Sequence, residues 1–384
     1  MVLPKINMAR ILVLGSLAES LITFRGSLLE EMVKGGHEVY ACAPDATSEI
    51  RNTLSSKGVL YMEAYIERTG LNPIKDIQSI VSLLFLIKRI KPDVFLGYTP
   101  KPVIYGSFAA RIVGVPKIFS MIEGLGYTYF NTGFKVKIIG SIINFLFRLA
   151  LRFNHKVFFL NLDNLDVMLR KKILKNPGQA TILNGIGVDL KKFTPAPYPN
   201  ELTFLMIARL LRDKGVTEYI KAAHIVKRKY PEIRFSYVGW ADVGNPNAIS
   251  EEERQSLVDS DSIEYIDRLS NVRPAIAQSS VYVLPSYHEG MPVTVMEAMA
   301  MGRPVITTYA PGCRETVIQG KNGLLVPVKD ANALAEAMEH FVIQPKDIEV
   351  MGRLSRLFAE EKFDVHKINA VMLSTMGLID EVYI

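Results

Sequence analysis

The chain has 384 residues, of which 49% are hydrophobic and 22% are charged, and it carries a net charge of +6. These values exclude a disordered protein, and the length predicts two domains. Two cysteines exclude a disulfide framework and a cysteine-based zinc site, and the six histidines lack the spacing of a metal-binding motif, so we expect no metal.

Short apolar segments alternate with amphipathic ones along the first half of the chain. Such alternation predicts βαβ units, in which helices join parallel strands. Gly35 and Gly36 indicate the end of one helix, because glycine adopts the conformations that terminate helices. The predicted strands are 9–14, 38–43, 60–64 and 94–97, and the predicted helices are 21–34, 48–57 and 75–90.

The second half repeats this organisation after a proline-rich segment at 193–199, which is typical of a linker. We therefore predict an α/β chain with two doubly wound domains, 1–190 and 191–360, that face a central cleft. A final helix within 361–384 is expected to pack back on the first domain. Ligands of such folds bind at the carboxyl ends of the strands. The predicted strands are 202–207, 233–238, 281–284 and 305–307, and the predicted helices are 216–228 and 293–301.

The first domain is the basic one. Residues 1–190 carry 23 basic and 14 acidic side chains, whereas the rest of the chain carries 22 and 25. This asymmetry indicates an anionic partner, either a phosphate-bearing substrate or a lipid surface. The mean hydropathy is +0.17, yet the longest apolar runs, 80–87 and 138–151, are shorter than the roughly 20 residues that span a bilayer. We expect the protein to touch a membrane without crossing it.

An apolar segment at 135–156 is bracketed by basic residues and contains no acid. This pattern is typical of a helix that lies in a membrane interface, and its cations also suit the diphosphate of a lipid-linked acceptor. An ordinary core helix with solvated basic ends is the alternative. The basic residues are Lys135, Lys137, Arg148, Arg152 and Lys156.

Glu123 is the only acid between Asp93 and Asp163, and it follows the strand-like segment 117–122. A carboxylate at a strand end in a basic domain is a candidate contact for an acceptor hydroxyl, or a proton acceptor. Pairing with a nearby lysine or arginine is the structural alternative.

The strongest pattern is the loop that follows the predicted strand 281–284. The backbone N–H groups at the start of the next helix form an anion site suited to a diphosphate. Glu289 precedes this helix and Glu297 lies about 7.5 Å along its axis, so the two carboxylates reach opposite ends of a diphosphate. A surface acid and a helix acid without a joint role are the alternative. The predicted backbone donors are Gly290, Met291, Val293 and Thr294.

Arg209 and Lys214 lie in a second strand-to-helix loop, which Gly215 closes. Arginine binds phosphate through two parallel hydrogen bonds and lysine acts as a point charge. We expect both to stabilise the charge on a departing diphosphate, which is the task of a metal ion elsewhere. A solvated basic loop is the alternative.

With Arg209, Lys214-Gly215, Glu289-Gly-Met-Pro and Glu297, the chain resembles the retaining glycosyltransferases of family 4, which have the GT-B fold of two Rossmann-like domains. The first domain is similar to bacterial enzymes that extend polyprenyl-diphosphate-linked sugars in O-antigen, capsule or N-glycan assembly, such as the N,N′-diacetylbacillosaminyl-diphospho-undecaprenol N-acetylgalactosaminyltransferases. The motifs of this second resemblance are Phe24-Arg25-Gly, Gly70-Leu-Asn72-Pro73 and Glu123-Gly124-Leu-Gly126.

The resemblance implies a role for each matching residue. It places Arg209 and Lys214 on the donor diphosphate, Glu297 on the nucleotide ribose and Glu289 on sugar hydroxyls near the anomeric centre. Many relatives have a His-Gly pair where this chain has Glu123-Gly124, and the resemblance places Glu123 on the acceptor side. The remaining implied contacts are backbone donors at Gly290 and Met291 and space for donor or acceptor at Gly15.

Together with these residues, the resemblance implies transfer of an N-acetylhexosamine from a UDP-sugar to a polyprenyl-diphosphate-linked saccharide, with retention at the anomeric carbon. The enzyme is expected to work without metal on the cytoplasmic face of a bacterial membrane, and without nucleic acid. A sugar-nucleotide epimerase or hydrolase of the same fold, a transferase that uses GDP-sugars, and a non-catalytic sensor of sugar nucleotides are the alternatives. An epimerase needs no lipid acceptor, so the segment 135–156 disfavours it.

Overall fold

The computed structural model describes residues 8–67, 72–124, 134–242, 245, 247–258 and 262–380, without the side chains of residues 135, 256 and 258. Parts of two motifs named above, residues 70–71 and 125–126, lie outside this description. The chain separates into two compact units, one built from Met1–Leu183 with His366–Ile384 and the other from Asn184–Val365.

Each unit contains one parallel sheet. In the described residues the first sheet has the order β3-β2-β1-β4-β5-β6-β7, and the second has the order β10-β9-β8-β11-β12-β13. The strands of the first are β1 (Arg10–Leu14), β2 (Glu38–Ala43), β3 (Leu60–Glu63), β4 (Val94–Tyr98), β5 (Lys117–Ile122), β6 (Lys156–Phe159) and β7 (Ala180–Ile182). Those of the second are β8 (Thr203–Ile207), β9 (Arg234–Val238), β10 (Glu264–Ile266), β11 (Val281–Leu284), β12 (Val305–Thr308) and β13 (Gly323–Val326).

Helices connect the strands of the first sheet. After Arg10, the central strand β1 is apolar and buried on both faces, and β4 is buried throughout, as expected for a parallel sheet between helical layers. The helices are α1 (Ala18–Thr23), α2 (Gly26–Lys34), α3 (Ser48–Ser56), α4 (Pro73–Ile90), α5 (Ser107–Val113), α6 (Phe134–Leu151) and α7 (Leu162–Arg170).

The second sheet has the same arrangement. Buried side chains from β8, β11 and β12 form the centre of its core. Its helices are α8 (Val216–Lys229), α9 (Glu251–Val258), α10 (Arg273–Ala277), α11 (Val293–Ala300), α12 (Ala331–Ile343) and α13 (Lys346–Lys362).

The last helix, α14 (Val365–Met376), returns to the first unit. Asn369 Nδ2 donates hydrogen bonds to Ser27 Oγ at 3.1 Å and to Glu31 Oε1 at 2.9 Å. The His37 ring lies 3.1 Å from the carbonyl oxygen of Leu378. Partly buried contacts of α14 with α2, and the buried contact of Leu378 with His37, thus tie the end of the chain to the first unit.

Candidate active site

Loops from neighbouring strands meet at the carboxyl edge of the second sheet. Strands β9 and β10 lie on one side of β8, whereas β11, β12 and β13 lie on the other. Open α/β sheets bind ligands at such a reversal of strand order. The two loops that carry the predicted cations and the predicted carboxylate, after β8 and after β11, flank this point.

Lys214 and Glu289 form an ion pair between these two loops. Lys214 Nζ lies 2.5 Å from Glu289 Oε1, and only 18% and 13% of the two side chains are exposed. The backbone sets up the contact, because the carbonyl oxygen of Asp213 accepts hydrogen bonds from the Tyr287 N–H group at 2.8 Å and the Ser286 hydroxyl at 3.0 Å. The sequence predicts a donor site that contains both charged residues, but their direct contact is visible only in the structure.

Arg209 is paired with an acid that the sequence patterns did not single out. Arg209 Nη1 donates to Asp242 Oδ2 at 2.6 Å, and Asn245 Nδ2 donates to the same oxygen at 3.0 Å. Asp242 follows β9, the strand beside β8, so the strand order brings it to Arg209. The sequence feature that could have identified Asp242 is its position shortly after the predicted strand 233–238. Arg212 pairs elsewhere, with Glu253 at 2.5 Å.

Two glycines let the loops approach this closely. Gly215 has a φ of +75°, and a Cβ atom at this position would lie 2.1 Å from the carbonyl oxygen of Pro285. Gly312 has a φ of +80°, and its Cβ would lie 2.3 Å from the carbonyl oxygen of Glu289. Because residues with a side chain rarely adopt such φ values, the placement of Glu289 depends on glycine at position 312.

We expect Gly312→Ala to displace the Glu289 backbone and to lower the free energy of unfolding by about 1–3 kcal/mol, measured by urea denaturation. Gly320→Ala is the matched control, because Gly320 has a φ of +72° but no atom within 4 Å of its Cβ position. Equal losses in the two variants would show that close approach to Glu289 contributes nothing beyond the backbone conformation.

Glu297 is the fifth residue of α11 and is half-buried. No hydrogen bond or ion pair reaches its carboxyl group from the described residues. Burial raises the pKa of Glu297 to about 8. A carboxyl group with unused hydrogen-bonding capacity on this helix suits the ribose hydroxyls that the family resemblance assigns to it.

Because of Glu297, we expect the free energy of unfolding to fall as the pH rises from about 5 to about 8. In this window the unfolded chain has lost the proton, with a pKa near 4.5, whereas the folded chain still holds it. Each pH unit therefore removes up to about 1.4 kcal/mol of stability.

Glu297→Gln should abolish this contribution, and urea denaturation across that pH range would measure it. The exposed residue Glu336 on α12 provides the control variant, Glu336→Gln. Parallel stability curves for wild type and Glu297→Gln would contradict the assignment.

Helix α11 begins directly after the loop that carries Glu289. Pro292 is its N-cap and Val293 its first residue, which is where the predicted helix 293–301 also begins. No side chain within the described residues caps this terminus. The first-turn N–H groups, including those of Val293 and Thr294, therefore direct partial positive charge to this end. Contacts of Gly290 and Met291 with a donor stay a prediction.

In the first unit, Glu123 follows β5 and forms an ion pair with Arg25 of the Phe24-Arg25-Gly motif. Pairing with an arginine was the structural alternative for Glu123, yet 28% of its side chain stays exposed. At Gly15, Tyr98 fills the space that a Cβ atom would need, because its Oη would lie 2.3 Å from that atom. The contacts of Glu123 and Gly15 with substrate stay predictions.

The basic segment 135–156 is not one helix. Helix α6 ends at Leu151, and Lys156 is the first residue of β6, so its prediction as part of a basic helix is wrong. Lys156 Nζ donates to the carbonyl oxygen of Gly178 at 2.8 Å. A strand begins here because residues 156–159 pair with β5 and β7.

The other basic residues of this segment differ in their surroundings. The Arg148 guanidinium donates to the carbonyl oxygens of Lys171 and Lys172 at 3.0 and 2.9 Å, so it is tied to the turn after α7. Lys137 and Arg152 are exposed. The side chain of Lys135 lies outside the described part of the chain.

Among the residues described, no group of three or more histidine, cysteine, aspartate or glutamate side chains has the arrangement of a metal site. In that same part of the chain, every helix is too short or too polar to cross a membrane.

Two family models match the chain, one in each unit. Residues 10–161 match the model described as glycosyl transferase 4-like, and residues 201–343 match the model described as glycosyl transferases group 1. The second match contains Arg209, Lys214, Glu289 and Glu297.

Curated relatives are similar over most of the chain. The N,N′-diacetylbacillosaminyl-diphospho-undecaprenol alpha-1,3-N-acetylgalactosaminyltransferase of Campylobacter jejuni is 29% identical over 331 residues, which is 83% of this chain and 85% of the relative. The UDP-Gal:alpha-D-GlcNAc-diphosphoundecaprenol alpha-1,3-galactosyltransferase of Escherichia coli is 25% identical and covers 78% of each chain. A capsular polysaccharide biosynthesis glycosyltransferase of Staphylococcus aureus is also 25% identical, over 75% of this chain and 77% of its own.

Solved structures share the fold. The sucrose-phosphate synthase of Thermosynechococcus elongatus has a TM-score of 0.78 at 19% identity, covering 95% of this chain and 97% of its own. The Anabaena protein HepE, in complex with UDP and glucose, has a TM-score of 0.78 at 14% identity, covering 97% and 100%.

Proposed function

The chain is a glycosyltransferase with the GT-B fold, and we propose that it transfers an N-acetylhexosamine from a UDP-sugar to a polyprenyl-diphosphate-linked saccharide with retention at the anomeric carbon. The observation that supports the proposal is the Lys214–Glu289 pair, a cation and a carboxylate at the strand reversal where open α/β sheets bind ligands. We further propose that the product belongs to a bacterial glycan such as O-antigen, capsule or N-glycan, and the capsular polysaccharide biosynthesis glycosyltransferase of Staphylococcus aureus is a relative that supports this.

The ion pairs of Arg209 and Lys214 suggest how the protein binds the donor. Arg209 and Lys214 are each neutralised by an acid, Asp242 and Glu289. A diphosphate offers both cations a more highly charged partner, and its arrival frees Glu289 to accept hydrogen bonds from the hydroxyls of the transferred sugar. Glu297 then binds the ribose. The donor thus exchanges protein–protein ion pairs for protein–ligand ones.

Departure of the nucleotide diphosphate is the step that the two cations assist. Charge grows on the diphosphate as the bond to the anomeric carbon breaks, and Arg209, Lys214 and the N-terminus of α11 stabilise it. The acceptor hydroxyl attacks from the face that the diphosphate leaves. Because these groups cover the diphosphate, the proposal includes no metal requirement.

The first unit offers a surface suited to a membrane. Four apolar residues of α6 are exposed at helical spacing, and four of α4 are exposed likewise. Both helices pack on residues 102–106, so they lie on the same side of the first sheet. With the exposed cations Lys137 and Arg152, this side suits anionic lipid, and we propose a peripheral location on the cytoplasmic face of the membrane. The apolar residues are Phe134, Ile138, Ile142, Phe145, Ile74, Ile77, Val81 and Phe85.

Nucleotide release tests the proposed reaction. The purified protein is incubated in EDTA with a panel of UDP- and GDP-sugars, each with and without a short polyprenyl-diphosphate-linked sugar. We expect UDP release that depends on the acceptor and that is largest with a UDP-N-acetylhexosamine. Release or epimerisation that ignores the acceptor would favour an epimerase or hydrolase, and acceptor-dependent release of GDP would correct the nucleotide.

Membrane binding is tested by flotation with vesicles that contain anionic lipid. We expect Ile138→Glu/Ile142→Glu to lower the vesicle partition coefficient by at least about tenfold, because each buried isoleucine side chain contributes about 1.5–3 kcal/mol. The control is Val350→Glu/Leu357→Glu on α13, whose side chains have similar exposure. Equal binding of the two double variants would contradict a membrane role for α6.

A further inference from the structure

We propose that Arg25 is a positioning residue that holds Glu123 in place for the acceptor. The inference rests on the proposed function, because it assigns Glu123 to the acceptor hydroxyl. It goes beyond that assignment, because it joins Arg25 of Phe24-Arg25-Gly, Tyr98 and Gly15, which are far apart in sequence, to Glu123 in one cluster of contacts.

Arg25 is buried behind Glu123. Only 2% of the Arg25 side chain is exposed, compared with 28% for Glu123. The Arg25 Nη2 atom donates to Glu123 Oε1 and lies 3.0 Å from Met121 Sδ, and Nη1 donates to the carbonyl oxygen of Phe24 at 2.9 Å. A ligand therefore meets the carboxylate and not the guanidinium.

The ring of Tyr98 also contacts the Arg25 guanidinium. The Arg25 Cζ atom lies 4.6 Å from the centre of the Tyr98 ring, within the range of a cation–π contact. The ring is fixed in turn by a hydrogen bond of 2.7 Å between its hydroxyl and Ser20 Oγ. It lies over Gly15, where any Cβ atom would clash with it. Gly15 thus has a structural task at the acceptor side.

This cluster of contacts lies at the strand reversal of the first sheet. Gly15 follows β1 and Tyr98 ends β4, and these are the adjacent strands between which the order reverses. Glu123 follows β5, the next strand along. By the same rule that applies to the second sheet, this edge is where a ligand of the first unit binds.

The cost of burying the Arg25 guanidinium restricts the position of Glu123. A buried guanidinium without an anion is costly, by several kcal/mol, and Glu123 is the only acid that pairs with Arg25 among the described residues. The Arg25 Nε atom already lacks a partner there. Movement of Glu123 away from Arg25 would leave the cation uncompensated, so the carboxylate is held in one orientation with an exposed edge toward the acceptor.

Kinetics of four variants test the proposal: Arg25→Met, Arg25→Lys, Glu123→Gln and Arg25→Met/Glu123→Gln. Acceptor kcat/KM, the Kd of UDP and the thermal midpoint are measured for each. Arg25→Met and Glu123→Gln should each lower kcat/KM for the acceptor by at least about tenfold, with the Kd of UDP unchanged. Arg25→Lys should recover part of the loss, because lysine keeps the charge but not the planar fork.

The double variant separates positioning from independent effects. If Arg25 acts through Glu123, the double variant is no slower than the slower single variant, whereas multiplied losses would overturn the proposal. It also removes both charges, so it remains informative if Arg25→Met alone fails to fold. Arg111→Met is the matched control, because Arg111 lies over the ring of Phe153 at 5.9 Å on exposed α5 surface.

Two further outcomes are decisive. A rise in the Kd of UDP that matches the loss of acceptor kcat/KM would mean that Arg25 only maintains the fold, which overturns the proposal. Normal acceptor kinetics in Glu123→Gln would also overturn it. Neither outcome affects the proposed reaction, because acceptor-dependent UDP release by the wild-type protein tests that reaction separately.

Discussion

Replacement of Lys214 by alanine is expected to lower the turnover number by at least about tenfold. Lys214 contacts Glu289, and in the proposed reaction its charge stabilises the departing diphosphate. A contact that strengthens as the bond breaks lowers the barrier of that step, and a tenfold effect corresponds to about 1.4 kcal/mol. Initial rates of acceptor-dependent UDP release at saturating substrates measure the effect.

The control for this experiment is Lys221→Ala. Lys221 is an exposed lysine of α8, and its removal changes the net charge by the same amount. We also expect Lys214→Ala to raise the KM of the donor, because the diphosphate loses a charged partner in the ground state. Wild-type turnover in Lys214→Ala would exclude the assigned role in leaving-group stabilisation.

Replacement of Glu289 by glutamine should affect the same reaction in a different way. We expect kcat to fall by about 10- to 100-fold, since a hydrogen bond to a charged group contributes about 1.5–3 kcal/mol. The KM of the donor should not rise, because loss of the carboxylate frees Lys214 for the diphosphate. Steady-state kinetics with the donor varied separate the two constants.

The two variants therefore distinguish the role of Lys214 on the diphosphate from the role of Glu289 on the transferred sugar, although the two side chains contact each other. Glu336→Gln serves again as the control for an exposed glutamate. A donor KM that rises in Glu289→Gln as much as in Lys214→Ala would mean that Glu289 only orients the lysine. In that case the carboxylate would have no separate contact with the transferred sugar.

Most long elements were predictable because they are strongly patterned. The predicted strands 38–43 and 281–284 match β2 and β11, and the predicted helix 75–90 differs from α4 only at its start. The strands that no prediction named are short or have little apolar character. Among them, β7 has three residues at the edge of its sheet, and β10 begins with Glu264 at another edge. Pairing with a neighbour, and not local preference, makes these segments strands.

The predicted helix 21–34 shows where local pattern is overridden. The structure contains two helices, α1 and α2, separated at Phe24 and Arg25. The break places the Arg25 side chain in the core, where Tyr98 and Glu123 receive it. No periodicity reveals this, because a buried arginine in sequence looks the same as a solvated one.

By itself, the sequence determined the two α/β units and the glycine and proline positions of the loops, and it singled out Arg209, Lys214, Glu289 and Glu297 as candidate site residues. Tertiary structure decided how the charges combine. The pairs Arg209–Asp242, Lys214–Glu289 and Arg25–Glu123 join residues 33, 75 and 98 positions apart. Their contacts depend on which strands are neighbours in each sheet. Hydrophobic periodicity specifies a strand and its buried face, but strand order follows from packing of the whole unit.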